Sequence, residues 1–196
     1  MTAERLPGRS VLTPLAAFTG ATRIAVQGML GVGEPAADYT GIALLSGHLA
    51  AMGLTVYPRA AVGQPDADRQ LRAACLGQAR SVAWALRLLE CQLSGEARAA
   101  ALPASAPLAA LALRLGSYWQ AERALVSWLE ERLADDEREE LADSYRRALD
   151  RAPTRPHPRC PRSWPLRHLA FWLHGRWDRV LDTVDARPGA GRRLPP

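Results

Sequence analysis

The chain has no lysine. All 25 of its basic residues are Arg, and with the abundance of alanine this reads as a coding bias, not as a functional signal. Cysteine is sparse. Cys75, Cys91 and Cys160 are odd in number and at no metal-type spacing, which argues against a disulfide scaffold or zinc finger and for reduced thiols. Cys75 and Cys91 lie on one predicted helix, roughly 24 Å apart at 1.5 Å per residue, so they cannot pair within the chain. Familiar catalytic and nucleotide-binding signatures are missing: there is no GxGxxG, Walker loop, GxSxG or HExxH. No alternating apolar and polar run marks a strand. No window of about 20 apolar residues is free of charge, so no membrane-spanning helix is expected. Met1 to Arg9 lacks an apolar segment behind a basic start, and a cytoplasmic protein is expected.

What is present is apolar and helical. Hydrophobic residues make up 48% of the 196 positions, which excludes a disordered chain and suffices for one core. The net charge of +5 is unevenly spread. Residues 1–150 carry 15 Arg against 17 acidic residues, whereas residues 151–196 carry 10 Arg against 3 Asp. A near-neutral body with a basic tail directs the tail to an anionic contact: nucleic acid, lipid headgroups or an acidic face of the body.

Taken in order, residues 1–12 form a flexible start, broken by Pro7 and Gly8. Thr13 caps a first helix with Pro14 at its tolerated first position, and Leu15, Phe18, Thr22, Ala25 and Met29 share a face. Asp38 caps a second helix over 39–56, striped by Ile42, Leu45, Leu49, Met52 and Val56, with His48 beside the stripe. Tyr57-Pro58 ends or kinks it, because a residue before proline avoids the α region. A third helix spans 67–94, with Cys75, Val82, Leu86 and Leu89 inward. A fourth starts near Ser105, with Leu111, Leu115, Tyr118, Leu125 and Leu129 inward. Asp135 or Asp136 opens an acidic helix running to about Asp150, whose Leu141, Tyr145 and Leu149 face the core. A Pro-rich link, 152–165, is followed by an amphipathic tail helix over 166–187 and a disordered end at 188–196. In that tail Leu173, Trp177 and Leu181 belong to the apolar side, and Arg176, Asp178 and Asp182 to the polar side. Long amphipathic helices with short connections predict an all-α, up-down four-helix bundle over 13–151, with an extra acidic helix and the tail appended.

The order of these elements carries a resemblance. Four bundle helices and an acidic helix lead into Ala152-Pro153-Thr154-Arg155-Pro156-His157-Pro158, then into a basic amphipathic tail. This is similar to the bacterial hemerythrin-like (HHE cation-binding) proteins, many of which finish their bundle with such a stretch. The likeness is closest over 117–158 and runs loosely from about 13 to 187. It implies a bundle built to hold a non-haem di-iron centre through inward His and carboxylate side chains. On the matching positions those ligands are depleted. The second-helix His-x-x-x-Glu falls on His48 to Met52, so the imidazole is kept and the carboxylate is not. Tyr57-Pro58 stands for a His-Pro pair. The third-helix His falls among Gln78, Ala79, Arg80 and Ser81, none of them a usual iron ligand. The fourth-helix His-x-x-x-Glu falls on Tyr118 to Glu122, so the carboxylate is kept and tyrosine replaces histidine. The first-helix His has no counterpart between Thr13 and Val32, and His157 belongs to the link.

The implied metal positions are therefore His48, Glu122, Tyr118 and Tyr57. Two irons need several imidazoles and carboxylates for coordination and charge balance, and residues 1–150 hold only one histidine. The resemblance thus implies a hemerythrin-like bundle that has lost its di-iron centre and serves as a non-catalytic binding or regulatory scaffold, without a cofactor and with an unidentified protein partner. A first alternative is an iron protein that binds oxygen or nitric oxide at an altered site of His48, Tyr118 and Glu122. A second is an adaptor that meets a membrane surface or a partner through 164–187, where three of the six Trp lie; three Asp in the tail weigh against the membrane. Nucleic acid is not expected, since no recognition-helix motif is visible and Arg alternates with Asp. His168 and His174 are six apart and share no helix face, which argues against haem ligation.

Overall fold

The computed structural model describes residues 14–29, 35–61, 66–93, 105–156, 170, 173–178 and 181. Among these the chain is all-α, without a strand. Six helices follow one another: α1 (Pro14–Met29), α2 (Pro35–Leu54), α3 (Val56–Arg59), α4 (Asp66–Leu93), α5 (Ser105–Glu130) and α6 (Asp135–Arg151). Both α1 and α2 open on proline, whose fixed φ and missing N–H suit the first helical position. Asp38 consequently lies inside the first turn of α2 and is not its cap. The cap expected at Thr13 lies outside the described residues.

α2 is the centre of the fold. It packs against α1, α4 and α6 and leads directly into α3; α4 and α5 form the most extensive pair, and α1 also meets α5 and α6. Ile42, Leu45, His48 and Met52 are fully buried along it, as is Val56 at the start of α3. His48 is thus within the core stripe, not beside it. Tyr39–Arg59 has a mean hydropathy of 1.3, and by length and composition it could cross a membrane. Here 61% of that window is buried inside the protein, as in a core helix of a globular fold. Gly47 lies beneath α6 and the link: a Cβ there would meet Leu149 Cδ1 at 3.4 Å and Ala152 Cβ at 3.5 Å.

The break after Leu54 has a local cause. Pro58 cannot donate to the Leu54 carbonyl and its ring crowds that group. Thr55 leaves helical geometry (φ −120°, ψ −62°), and its hydroxyl donates to the Ala51 carbonyl at 2.7 Å. Helical bonding resumes at once, with the Arg59 N–H donating to Thr55 O at 3.2 Å and Ala60 N–H to Val56 O at 2.9 Å. The offset turns Tyr57 into the core, where it is 2% exposed. Arg59 then pairs with Glu137 and fixes α3 to the start of α6.

α6 begins with three acidic residues, Asp135, Asp136 and Glu137, and ends in Arg151, which complements the helix dipole at both ends. Glu137 accepts the Ala134 N–H at 3.0 Å; Ala134 has no side-chain acceptor to complete a reciprocal box. Leu141, Ala142 and Tyr145 are buried. Beyond it, Ala152, Pro153 and Pro156 are buried, so the described part of the Pro-rich link packs down.

The tail departs from the expected orientation. Residues 173–178 are helical, but Leu173 and Trp177 are exposed, while Asp178 is buried. Asp178 Oδ2 accepts the Arg155 N–H at 3.0 Å. Leu173 and Trp177, expected on the docking side, therefore face outward, because the acid satisfies a backbone donor of the link and glycine permits close approach there. Apart from Ala170 and Leu181, both half-buried, the remaining tail positions, with His157, His168 and Cys160, lie outside the described residues.

Candidate functional site

His48 is the hub of a buried polar cluster contributed by almost every helix. Its Nδ1 lies 2.6 Å from Tyr145 Oη of α6. Its Nε2 lies 2.7 Å from Glu122 Oε2 and 2.9 Å from Tyr118 Oη, both of α5. Tyr118 and Glu122 are four apart, so one helix face presents both to the same imidazole nitrogen. Tyr57 of α3 joins through Tyr118, with the two phenol oxygens 3.4 Å apart, and the Cys75 thiol of α4 donates to Tyr57 Oη at 3.5 Å. Trp119 closes the ring edge, its centroid 5.5 Å from that of His48. His48, Glu122, Tyr118 and Tyr145 are each 0% exposed.

Burial fixes the protonation pattern of the phenols. Desolvation raises Tyr118 well above its ordinary value, and the neighbouring Tyr57 and Glu122 push in the same direction. Desolvation likewise raises Tyr57, with Cys75 adding to it. Burial raises Tyr145 against the opposing effect of its Thr22 hydrogen bond. It also pushes the Cys75 thiol up to about 11. All three phenols are thus donors at neutral pH. Facing Nε2, a Glu122 carboxylate can only accept. The consistent assignment has Nε2–H donating to Glu122 and Tyr145 O–H donating to Nδ1. The order carboxylate, imidazole, phenol is that of a proton relay, but each of its members is closed off from water.

The structure brings together all four residues that the sequence singled out: His48, Tyr118 and Glu122 in direct contact, and Tyr57 one step away. Two members were not anticipated. Tyr145 is the tightest partner of His48, and Cys75 terminates the chain of contacts. The available signal for Tyr145 was its place between Leu141 and Leu149 on a core stripe, since a buried tyrosine needs a partner for its hydroxyl. Thr22 of α1, 1% exposed, hydrogen-bonds Tyr145 and also donates to the Phe18 carbonyl at 2.9 Å.

The donor set does not fit a di-iron centre. Met52 is fully buried where a carboxylate would be needed, Arg80 is exposed, and Gln78 and Ser81 are half-buried. Among the described residues no three His, Cys, Asp or Glu side chains group as a metal site. Glu90, also buried, is engaged by Arg87 at 2.7 Å on α4. Two atoms of the cluster do stand open: Glu122 Oε1 and Trp119 Nε1 are buried without a hydrogen-bond partner among the described residues. No protein-family model, curated protein or solved structure matches the chain.

Proposed function

We propose that this chain is a hemerythrin-like up-down bundle, formed by α1, α2, α4 and α5, whose metal position has become a closed hydrogen-bonded core. It acts as a non-catalytic, cytoplasmic binding or regulatory scaffold. The observation that carries this reading is the saturation of His48. Both ring nitrogens are engaged by protein atoms at 2.6–2.9 Å. A metal would have to displace Tyr145 or Glu122 from a dry interior, and leaving such a group unpaired there is costly. Metal analysis of protein purified from iron-supplemented cells tests it: iron well below one per chain is expected. Two irons per chain with an oxo-bridged absorption band would overturn it.

A second reading has one observation in its favour, the unpartnered Glu122 Oε1. A single metal ion on His48, Glu122 and Tyr118 would use it, supplying a Lewis acid to an otherwise apolar interior. Tyr118 would have to surrender a proton that burial holds firmly. This reading requires one ferric ion per chain with a phenolate-to-iron absorption band that disappears in Tyr118→Phe.

A further inference from the structure

The orientation of the tail creates a surface independent of the interior reading above. Gly175 sits against the end of α6, where an added Cβ would lie 2.7 Å from the Arg151 carbonyl oxygen and 3.4 Å from Ala152 C. With Asp178 held inward by the Arg155 N–H, the outward side of the same turns is set. Leu173 (50% exposed) and Trp177 (62% exposed) are four apart on it, and Arg176 is exposed between them. Asp178, the one acid among the described tail residues, is turned away from that side. Arg147 and Arg151 are exposed on the last turns of α6, whose end supports the tail. Residues 151–196 carry 10 Arg against 3 Asp.

We infer that the face formed by Leu173, Arg176 and Trp177 docks on the headgroup region of an anionic lipid surface. Tryptophan places an amphipathic ring at the headgroup level, leucine reaches the acyl boundary, and arginines meet the phosphates. A nucleic-acid phosphate backbone would use the arginines and leave the Leu173–Trp177 pair without a role. A second copy of the same face would bring like charges together.

Sucrose-gradient flotation of the full chain tests this with vesicles of phosphatidylglycerol and phosphatidylethanolamine beside vesicles of phosphatidylcholine. Flotation with the anionic vesicles alone is expected, falling as salt shortens the screening length below the roughly 8 Å of physiological buffer. The double variant L173S/W177S changes exposed positions only, so its helical circular dichroism should match the parent. Its partitioning should weaken about tenfold or more, from loss of the inserted apolar surface. No flotation with anionic vesicles, equal flotation with neutral ones, or undiminished flotation of a folded L173S/W177S would each overturn the inference. So would tighter binding to a duplex DNA that the double variant leaves unchanged. None of these outcomes bears on iron content, so a failure here is separable from a failure of the scaffold reading.

Discussion

Replacing Tyr145 with Phe removes a single hydroxyl from the core. The ring stays, so buried apolar area is unchanged, and only the hydroxyl 2.6 Å from His48 Nδ1 is lost. Thr22 keeps a partner, because it already donates to the Phe18 carbonyl. His48 Nδ1 does not, and a buried acceptor left unpaired costs about 1–3 kcal/mol. With a urea m-value of about 1–3 kcal/mol/M, the unfolding midpoint should fall by roughly 0.5–2 M without a change in m. The sharper form is a double-mutant cycle with His48→Gln. Glutamine keeps a donor near the Nε2 position for Glu122 and offers no acceptor at the Nδ1 position. In that background Tyr145→Phe should cost little, giving a coupling of about 1–3 kcal/mol. A cost below about 0.5 kcal/mol in both backgrounds, within the usual error of additivity, would refute the claim that the imidazole holds α6 onto α2. Equal costs in both would show that the phenol acts through some other contact.

Alkaline pH should destabilise the fold through the phenols and the thiol of this cluster. The buried phenols and the Cys75 thiol all have folded-state values raised by desolvation, so the unfolded chain releases protons first. Stability is complete below the thiol's ordinary 9.0 and is lost as pH climbs through about 11. The thiol's share is about 3 kcal/mol, and urea midpoints of Cys75→Ala should show a shallower decline over that window. Gly77 and Gly116 are exposed helix-interior positions where an added Cβ meets nothing within 4 Å. Alanine at either should raise stability by about 0.5–1 kcal/mol. Gly175→Ala should instead lift residues 173–178 from the link, read as faster hydrogen exchange of the Arg155 amide. Met52→Glu places a carboxylate at a fully buried site; thermal unfolding should fall sharply at neutral pH and recover as the group is protonated.

The helices were legible because their apolar spacing is regular and their ends are marked by proline and acidic first turns. Ile42, Leu45, Met52 and Val56 needed no structure to be placed inward. The short α3 was less legible, since Tyr57-Pro58 signals a break but not that bonding resumes on its far side. That resumption aims Tyr57 at Tyr118. Matching ligand positions between helices found His48, Tyr57, Tyr118 and Glu122. It could not find Tyr145 or Cys75, which correspond to no ligand position and occupy ordinary core stripes.

The tail shows why a stripe alone does not set orientation. Leu173 and Trp177 read as the buried side by periodicity, yet the helix docks through Gly175 and Asp178. Two local requirements outweigh the apolar pair. The Arg155 N–H follows a proline-bearing turn with no helical acceptor, and burying it without a partner would cost about as much as a leucine gains by burial. Asp178 meets that need with a charge-assisted bond, the stronger kind. Gly175 lets the backbones approach to a distance that a side chain would forbid. Once both contacts form on one face, four-residue spacing leaves Leu173 and Trp177 on the other. The outward apolar pair is thus a geometric consequence of satisfying the link.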